Sequence, residues 1–585
     1  MTAKLFKVEP QAVPEVHPIP EPTFPTNLYE TDRHLQVVLA RYLQSDPEGR
    51  HWVADMLREW GEICAQQIEP LYLEAERNGP TLKQFDRRGE RVDELIFHPA
   101  YHAIGQLVYG FGLAAMSNVA NFKGLGRPTS QLAKFAAMYQ FCQVEGSISC
   151  PLSMTDIMAR TLNKFASQEI IQRYLPRLTS LDYEQLYTGA MFMTEKVGGS
   201  DVGATTTSAH RTEDGWELSG DKWFCSNVGA DLILTLARPE GAVARTQGLG
   251  LFLVPRFLPD GHRNSYVINR LKDKLGTRGM ASGEVTFNRA TAYLIEPLER
   301  GFVMMMEMVN GTRLHSGVGG VGTLRRSVIE ATQHARSRRS FRRTLAEHPL
   351  ISRQLSRLIV DSEATTSLML ATAQALDVAD SPAASRADSL ISRLLISLLK
   401  RYGTEHGVKG AQAALELRGG NGYIEDWPNA RILRDSYVNI IWEGGINMVS
   451  FDVLRLLGRE GVWGIYAAAI EKELAGIHNS ALADSVAELR QALTNLEQET
   501  ERIMTGSREL QEIAAPQLTE TMATLYAAVL RVAETEFCFG YDSAWAERSL
   551  QSVQCYLTDF LHPALHNLTQ IKLEADSTEL INGAV

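Results

Sequence analysis

What most constrains this chain is a change of hydrophobic period in its middle. Over residues 32–183 apolar side chains recur at helical spacing, as in Trp52, Met56, Trp60 and Cys64, which gathers them on one face of a helix. Over residues 188–298 the pattern turns to short alternating or β-branched runs, at 215–219, 231–236, 250–254 and 283–287, separated by Gly, Pro, Asp and Asn. Such runs are strands. Helical spacing returns at Phe302, persists to Gly458 and resumes over 462–585. A chain of 585 residues also exceeds what one core serves. The pattern therefore predicts an α+β multidomain protein: a proline-rich arm (1–30), a helical domain (31–185), a β-domain (186–299), a helical bundle (300–461) and an additional acidic helical domain (462–585). Pro80, Pro99 and Pro128 are expected to break helices in the first half, and Pro516 and Pro563 in the last tract. Pro10, Pro14, Pro18, Pro20, Pro22 and Pro25 favour an extended arm.

Several classes fall away. The six cysteines have neither paired nor metal-ligand spacing, so the sequence gives no disulfide framework and no metal site. That suits a reducing compartment and a cytoplasmic location. No basic start precedes an apolar segment at the N-terminus, and no window nears the roughly 20 apolar residues of a membrane span. The tract 462–585 holds seven basic against eighteen acidic residues, a net −11 equal to that of the whole chain. Its average field repels phosphate backbones, which argues against a nucleic-acid partner.

One stretch carries a candidate for chemistry. In Ile440-Ile441-Trp442-Glu443-Gly444-Gly445-Ile446-Asn447 a single carboxylate stands between an aromatic residue and two glycines. A hydrated carboxylate is a poor base, and apolar walls raise its proton affinity until it can take a proton from carbon. Ile440, Ile441 and Trp442 are expected to form those walls, and the glycines to let a bulky ligand approach the backbone. The competing reading is an ordinary glutamate after a helix.

Three glycine-containing stretches compete for a phosphate-binding role. Residues 317–322 match GxGxxG literally, but they continue a helical pattern with no βαβ unit around them. Close helix packing is therefore expected there. Around 191–202, Gly198-Gly199-Ser200 can present N–H groups and a hydroxyl to a diphosphate, and Thr194 can bond a heteroaromatic edge. At 220–227, Trp223 offers a flat face for stacking. A loop and a core tryptophan are the plainer alternatives. The small-residue run 143–155 allows close approach of either a helix or a ligand.

Taken in order, these stretches resemble the acyl-CoA dehydrogenase family, most closely its AidB-like branch. The resemblance rests on Met193–Asp201, Trp223–Ser226, Lys274–Arg278, Gly301-Phe302, Asn310–Arg313, Arg338–Phe341, Glu416–Gly422 and the Glu443 loop, and covers about residues 30–460. It implies a helical, β-barrel, helical subunit binding FAD, plus the C-terminal helical extension. By that resemblance Met191, Met193, Thr194, Gly199 and Ser200 line the flavin and its pyrophosphate, Trp223 stacks near the ring, and Cys225 or Ser226 lies close to N5. Arg338, Ser340, Phe341, Glu416, Gly419 and Gly420 would reach the FAD of a neighbouring subunit in a homodimer or homotetramer. Trp442, Gly445 and Asn447 would contact FAD beside the loop, with Asn310, Arg313 and Gly444 near the acyl-CoA. Glu443 would be the base that removes the α-proton while a hydride leaves the β-carbon for flavin N5. The electrons would pass to an electron-transfer flavoprotein or a similar acceptor. An acyl-CoA oxidase and an AidB-like nucleic-acid-associated flavoprotein are the alternatives. The sequence departs from the family at Lys196, Cys225, Asn310, Arg342 and Glu416, all around cofactor or CoA.

Overall fold

The computed structural model describes residues 24–572 apart from Asp214. The expected arm therefore lies mostly outside the described residues. The first helices are α1 (Arg33–Tyr42), α2 (Pro47–Ile63) and α3 (Glu69–Arg77). Asp32 caps α1 by accepting from Leu35 N–H, and its other oxygen accepts from the Tyr139 hydroxyl at 2.8 Å. One side chain thus ends a helix and ties it to the core.

The first unpredicted feature follows. Residues expected to continue the helical pattern form an antiparallel hairpin, β1 (Thr81–Phe85) and β2 (Arg91–Ile96). Asp86 shapes its turn by accepting from the Arg88 and Glu90 N–H groups, with Gly89 at φ +82°. Asp93, fully buried, accepts from Arg91, Arg263 and the Ile268 N–H, which fastens the hairpin to the β-domain. Helices α4 (Pro99–Phe111), α5 (Gln131–Phe141), α6 (Ser149–Phe165) and α7 (Gln168–Leu178) complete the N-terminal part. Pro99 opens α4 and Pro128 precedes α5, as expected of residues that stop a helix before them.

The β-domain comprises β3 (Gly189–Phe192), β4 (Ser208–Thr212), β5 (Gly215–Ser226), β6 (Leu232–Pro239), β7 (Gly250–Pro255), β8 (Tyr266–Leu271) and β9 (Ser282–Ile295). Pairings β4–β5, β5–β9, β9–β7, β7–β6 and β6–β4 close a ring, with β3 added to β6 and β8 to β9. Closure removes free edges. The predicted β-barrel is present.

Helix α8 (Gly301–Ser337) then runs back beside the barrel. The GxGxxG glycines lie inside it. A Cβ on Gly320 would stand 2.3 Å from the Gly403 carbonyl oxygen, and one on Gly322 2.7 Å from Cys142 Cβ. These glycines serve helix contact, as expected. A small hairpin, β10 (Arg339–Ser340) with β11 (Arg343–Thr344), leads to α9 (Pro349–Asp380), α10 (Arg386–Arg418), α11 (Gly420–Tyr423), α12 (Asn429–Ile441) and α13 (Ile446–Glu460).

The last tract forms α14 (Trp463–Ala475), α15 (Ala483–Thr505), α16 (Arg508–Tyr541), α17 (Ser543–Tyr556) and α18 (His562–Thr569). Neither proline breaks it as expected. Pro516 sits within α16, whose long buried face outweighs one lost bond. Pro563 falls where a π-turn, Leu557–Leu561, carries α17 straight into α18. The tract shares one apolar cluster with the N-terminal helices and the bundle, from Leu35 and Trp60 through Leu368 and Leu399 to Leu525 and Leu561. Within that contact Arg531 is buried, paired with Glu363 at 3.0 Å and Glu534 at 2.7 Å. Among the described residues, no helix is long and apolar enough to cross a membrane.

Candidate functional site

Helix α12 ends at Ile441 and α13 starts at Ile446, so Trp442 to Gly445 form a tight loop between them. Glu443 takes φ +58° and Gly444 φ +93°. A non-glycine residue in the left-handed region costs about 1–3 kcal/mol and persists only where its surroundings hold it. Arg313 on α8 supplies that hold. Its Nε donates to the Glu443 carbonyl at 2.9 Å, while its Nη1 reaches Asp452 and Asn310, each at 3.3 Å. A Cβ on Gly444 would stand 3.3 Å from Arg313 Nη2, so the glycine makes this approach possible.

The Glu443 side chain is half-buried. Its Oε2 accepts from the Thr312 hydroxyl at 2.8 Å, and Oε1 has no hydrogen bond among the described residues. Burial raises its carboxyl above the usual range, against the lowering pull of the Thr312 hydroxyl, Lys400 and Arg313. The walls differ from expectation. Ile441 is 67% exposed and points away, because it ends a helix whose other face is packed. Trp442 remains as a wall, packing on the same apolar cluster as Met191 and Met193. Its indole N–H donates to Ser316 at 2.9 Å.

Two residues here escaped the sequence reading. Thr312 lay within a quoted stretch, but nothing in its spacing singled it out. Lys400 follows an apolar helical run at 394–399 and is buried, donating to the Asn439 carbonyl in the last turn of α12. Burial pulls its ammonium down to about 7. A lysine closing a helical run that is apolar but for Ser397 was the signal available.

Across the cleft, β3 and β5 present the second group. Trp223 N–H donates to the Thr194 carbonyl at 2.9 Å, fixing the two chains side by side. Glu195 accepts from the N–H and hydroxyl groups of Thr206 and Thr207 and from Lys222, which together hold its carboxyl down to about 2 against its own burial. It anchors the loop carrying Gly198, Gly199 and Ser200. The half-exposed Trp223 has Lys272 Nζ 3.2 Å from its ring centroid. Cys225 is fully buried in the barrel core, so of the pair expected at the cleft only Ser226 keeps exposed surface, next to Cys150 of α6.

The remaining expected residues do not join this cluster within one chain. Phe341 is 90% exposed at the tip of the β10–β11 hairpin, flanked by Arg338 and Ser340. Glu416, Gly419 and Gly420 are exposed at the end of α10. Asn447 is exposed on the first turn of α13, next to Gly445 at its cap. None of these is bonded to the residues holding Glu443.

The cleft suits a flat, phosphorylated ligand. Thr194 Oγ has no hydrogen-bond partner among the described residues, the Trp223 face is part open, and a Cβ on Gly198 would meet nothing within 4 Å. A carboxylate of raised proton affinity stands on the loop whose Trp442 packs on the same apolar cluster as Met191 and Met193. Comparison with known proteins places the chain in a family. Residues 299–455 match the model described as acyl-CoA dehydrogenase, C-terminal domain, and residues 190–290 the middle domain. Residues 19–185 match the adaptive response protein AidB N-terminal domain. The chain is 34% identical over 462 residues to "Putative acyl-CoA dehydrogenase AidB" of Escherichia coli (strain K12), covering 77% of this chain and 82% of that protein. It is 31% identical over 523 residues to "Acyl-CoA dehydrogenase family member 11" of Caenorhabditis elegans, covering 86% and 84%. The crystal structure of Caenorhabditis elegans ACDH-11 in complex with C11-CoA superposes with a TM-score of 0.88 at 28% identity, covering 98% of this chain and 96% of that one. The chain belongs to the acyl-CoA dehydrogenase family, in its AidB-like branch, and is an FAD-dependent oxidoreductase.

Proposed function

We propose that this chain dehydrogenates an acyl-CoA thioester between Cα and Cβ, giving the trans-2-enoyl-CoA, with Glu443 as the base. The observation that carries this reading is the Glu443 carboxylate itself, held in a strained loop and desolvated, with one oxygen tied to Thr312 and the other free. The free Oε1 takes the α-proton. The Thr312 hydroxyl fixes Oε2, so the carboxylate cannot swing away, and Arg313 pins the loop backbone. Positioning of this kind supplies much of the rate.

FAD, when bound, supplies the acceptor for the two electrons and the hydrogen that leave Cβ. Met191, Met193, Thr194, Gly199, Ser200, Trp223, Ser226 and the Cys225 backbone would hold it from the barrel side, and Trp442, Gly445 and Asn447 from the bundle side. Arg338, Ser340, Phe341, Glu416, Gly419 and Gly420, exposed on one subunit, would complete the site of a second. Asn310, Arg313 and Gly444 would face the CoA thioester. This makes the protein a homo-oligomer that passes its electrons to a separate acceptor such as an electron-transfer flavoprotein.

The test is Glu443→Gln. FAD content should match the parent while anaerobic reduction by acyl-CoA thioesters disappears. Undiminished reduction would refute the role of Glu443.

A further inference from the structure

A cavity of about 560 Å³ opens between β2, α4, the 183–188 segment and one end of the barrel, a size usual for small-molecule sites. It shares no lining residue with the Glu443 loop or with the Thr194 and Trp223 cleft. Its walls are closely fitted. A Cβ on Gly105 would stand 2.6 Å from the Tyr183 hydroxyl, and one on Gly229 2.5 Å from Leu95 Cδ1.

Two charges of opposite sign stand on the barrel wall without meeting. The β6–β7 ladder pairs Leu232 with Pro255, so the next residues out, Asp231 and Arg256, come opposite each other, and the Arg256 N–H donates to the Asp231 carbonyl at 2.7 Å. Opposite charges across two strands ordinarily attract each other. Here each side chain is drawn elsewhere. Asp231 Oδ2 accepts from the Thr188 N–H at 2.8 Å, and Arg256 Nη1 donates to the Gly229 carbonyl at 2.7 Å. No ion pair joins the two among the described residues, which leaves Asp231 Oδ1 and Arg256 Nη2 uncommitted. Burial raises the Asp231 carboxyl above its usual range.

The facing walls are aromatic. Phe97 and Tyr101 stack at 4.2 Å and Tyr109 and Tyr183 at 6.1 Å, while His102 stands edge-on to Phe97, Tyr101 and Tyr183. Tyr101 is 9% exposed, and its hydroxyl makes no hydrogen bond among the described residues. Of the two glutamates at the rim, Glu94 is bridged to Lys83 and Glu184 is exposed, so the inner wall carries one charge of each sign. A bare alkyl chain would leave both of them unmet, an anion would meet only Arg256, and an amine only Asp231.

We propose that this cavity binds an α-amino acid with an aromatic side chain, its ammonium on Asp231, its carboxylate on Arg256 and its ring against Tyr101 and Tyr183.

The test is calorimetric titration of the FAD-loaded protein with three probes: L-phenylalanine, 2-phenylethylamine, which lacks the carboxylate, and 3-phenylpropionate, which lacks the ammonium. L-Phenylalanine should bind at least about tenfold more tightly than either. Asp231→Asn keeps an oxygen for the Thr188 N–H and should weaken L-phenylalanine and 2-phenylethylamine by about tenfold while sparing 3-phenylpropionate. Arg256→Met should weaken L-phenylalanine and 3-phenylpropionate and spare the amine, a reciprocal pattern that a general loss of fold would not produce. Equal binding of the three probes by the parent, or no binding of L-phenylalanine at millimolar concentration, would overturn the inference with no variant needed. Unchanged affinities in both variants would overturn the assignment to Asp231 and Arg256.

Discussion

Replacing Thr312 with valine isolates one determinant of Glu443 basicity. Thr312 is buried, and valine matches its shape, so the packing of α8 is kept. The change removes the 2.8 Å bond from its hydroxyl to Oε2. A hydrogen bond to a charged group is worth about 1.5–3 kcal/mol, and one pKa unit about 1.4 kcal/mol, so the carboxyl should rise by roughly one to two units. The sign follows from which form the hydroxyl favours. It donates to the carboxylate and pulls down a proton affinity that burial has raised, so without it the base stays protonated to higher pH. The acid limb of kcat should therefore move upward by that amount while the plateau at high pH changes less. Steady-state turnover with a saturating acyl-CoA and an artificial electron acceptor, measured across pH, reads it directly. The Thr312 hydroxyl also lies 3.2 and 3.1 Å from the Met308 and Val309 carbonyls. If its single proton goes there instead, the acid limb will not move, and the argument for Glu443 tuning is refuted.

Other outcomes follow from the same structure. Lys400→Met should also shift the acid limb upward, since the ammonium lowers the Glu443 proton affinity. Because the folded Lys400 is held down to about 7 against an ordinary value of 10.5, the unfolded chain binds more protons between those values. The parent should thus gain stability with rising pH there, by up to about 4 kcal/mol, and the methionine variant should lose that gain in denaturant titrations. Gly320→Ala drives a methyl into the Gly403 backbone and should cost about 1–3 kcal/mol, seen as a lower Tm. Arg531→Met takes the arginine partner from the buried Glu534 and leaves Glu363 with Arg548 alone, with an expected loss of about 3–5 kcal/mol in chemical denaturation.

How much of this could be read from the chain depends on what each contact is made of. Periodicity reports which face of an element is buried, so the helical, barrel and helical order was visible, as was the helix-packing use of the GxGxxG glycines. Glu443 stood out because a carboxylate between tryptophan and two glycines is locally unusual. The β1–β2 hairpin was missed because the interaction that fastens it, Asp93 with Arg263 and Ile268, spans about 170 residues. Thr312 and Lys400 were missed for the same reason: each acts on the Glu443 loop or the helix before it from another helix. Ile441 and Pro516 misled in opposite ways, one apolar yet exposed, the other a helix breaker held in place by what packs around it.

The single apolar core shared by both ends of the chain has a practical corollary. The last five helices cannot be treated as a removable appendage, because a chain stopped near Gly461 would lay bare Leu368, Leu399 and the Glu363 carboxylate with nothing to cover them. Shortened recombinant versions of this chain should come out insoluble, and changes in its length should be tolerated in surface turns, not by trimming the tail.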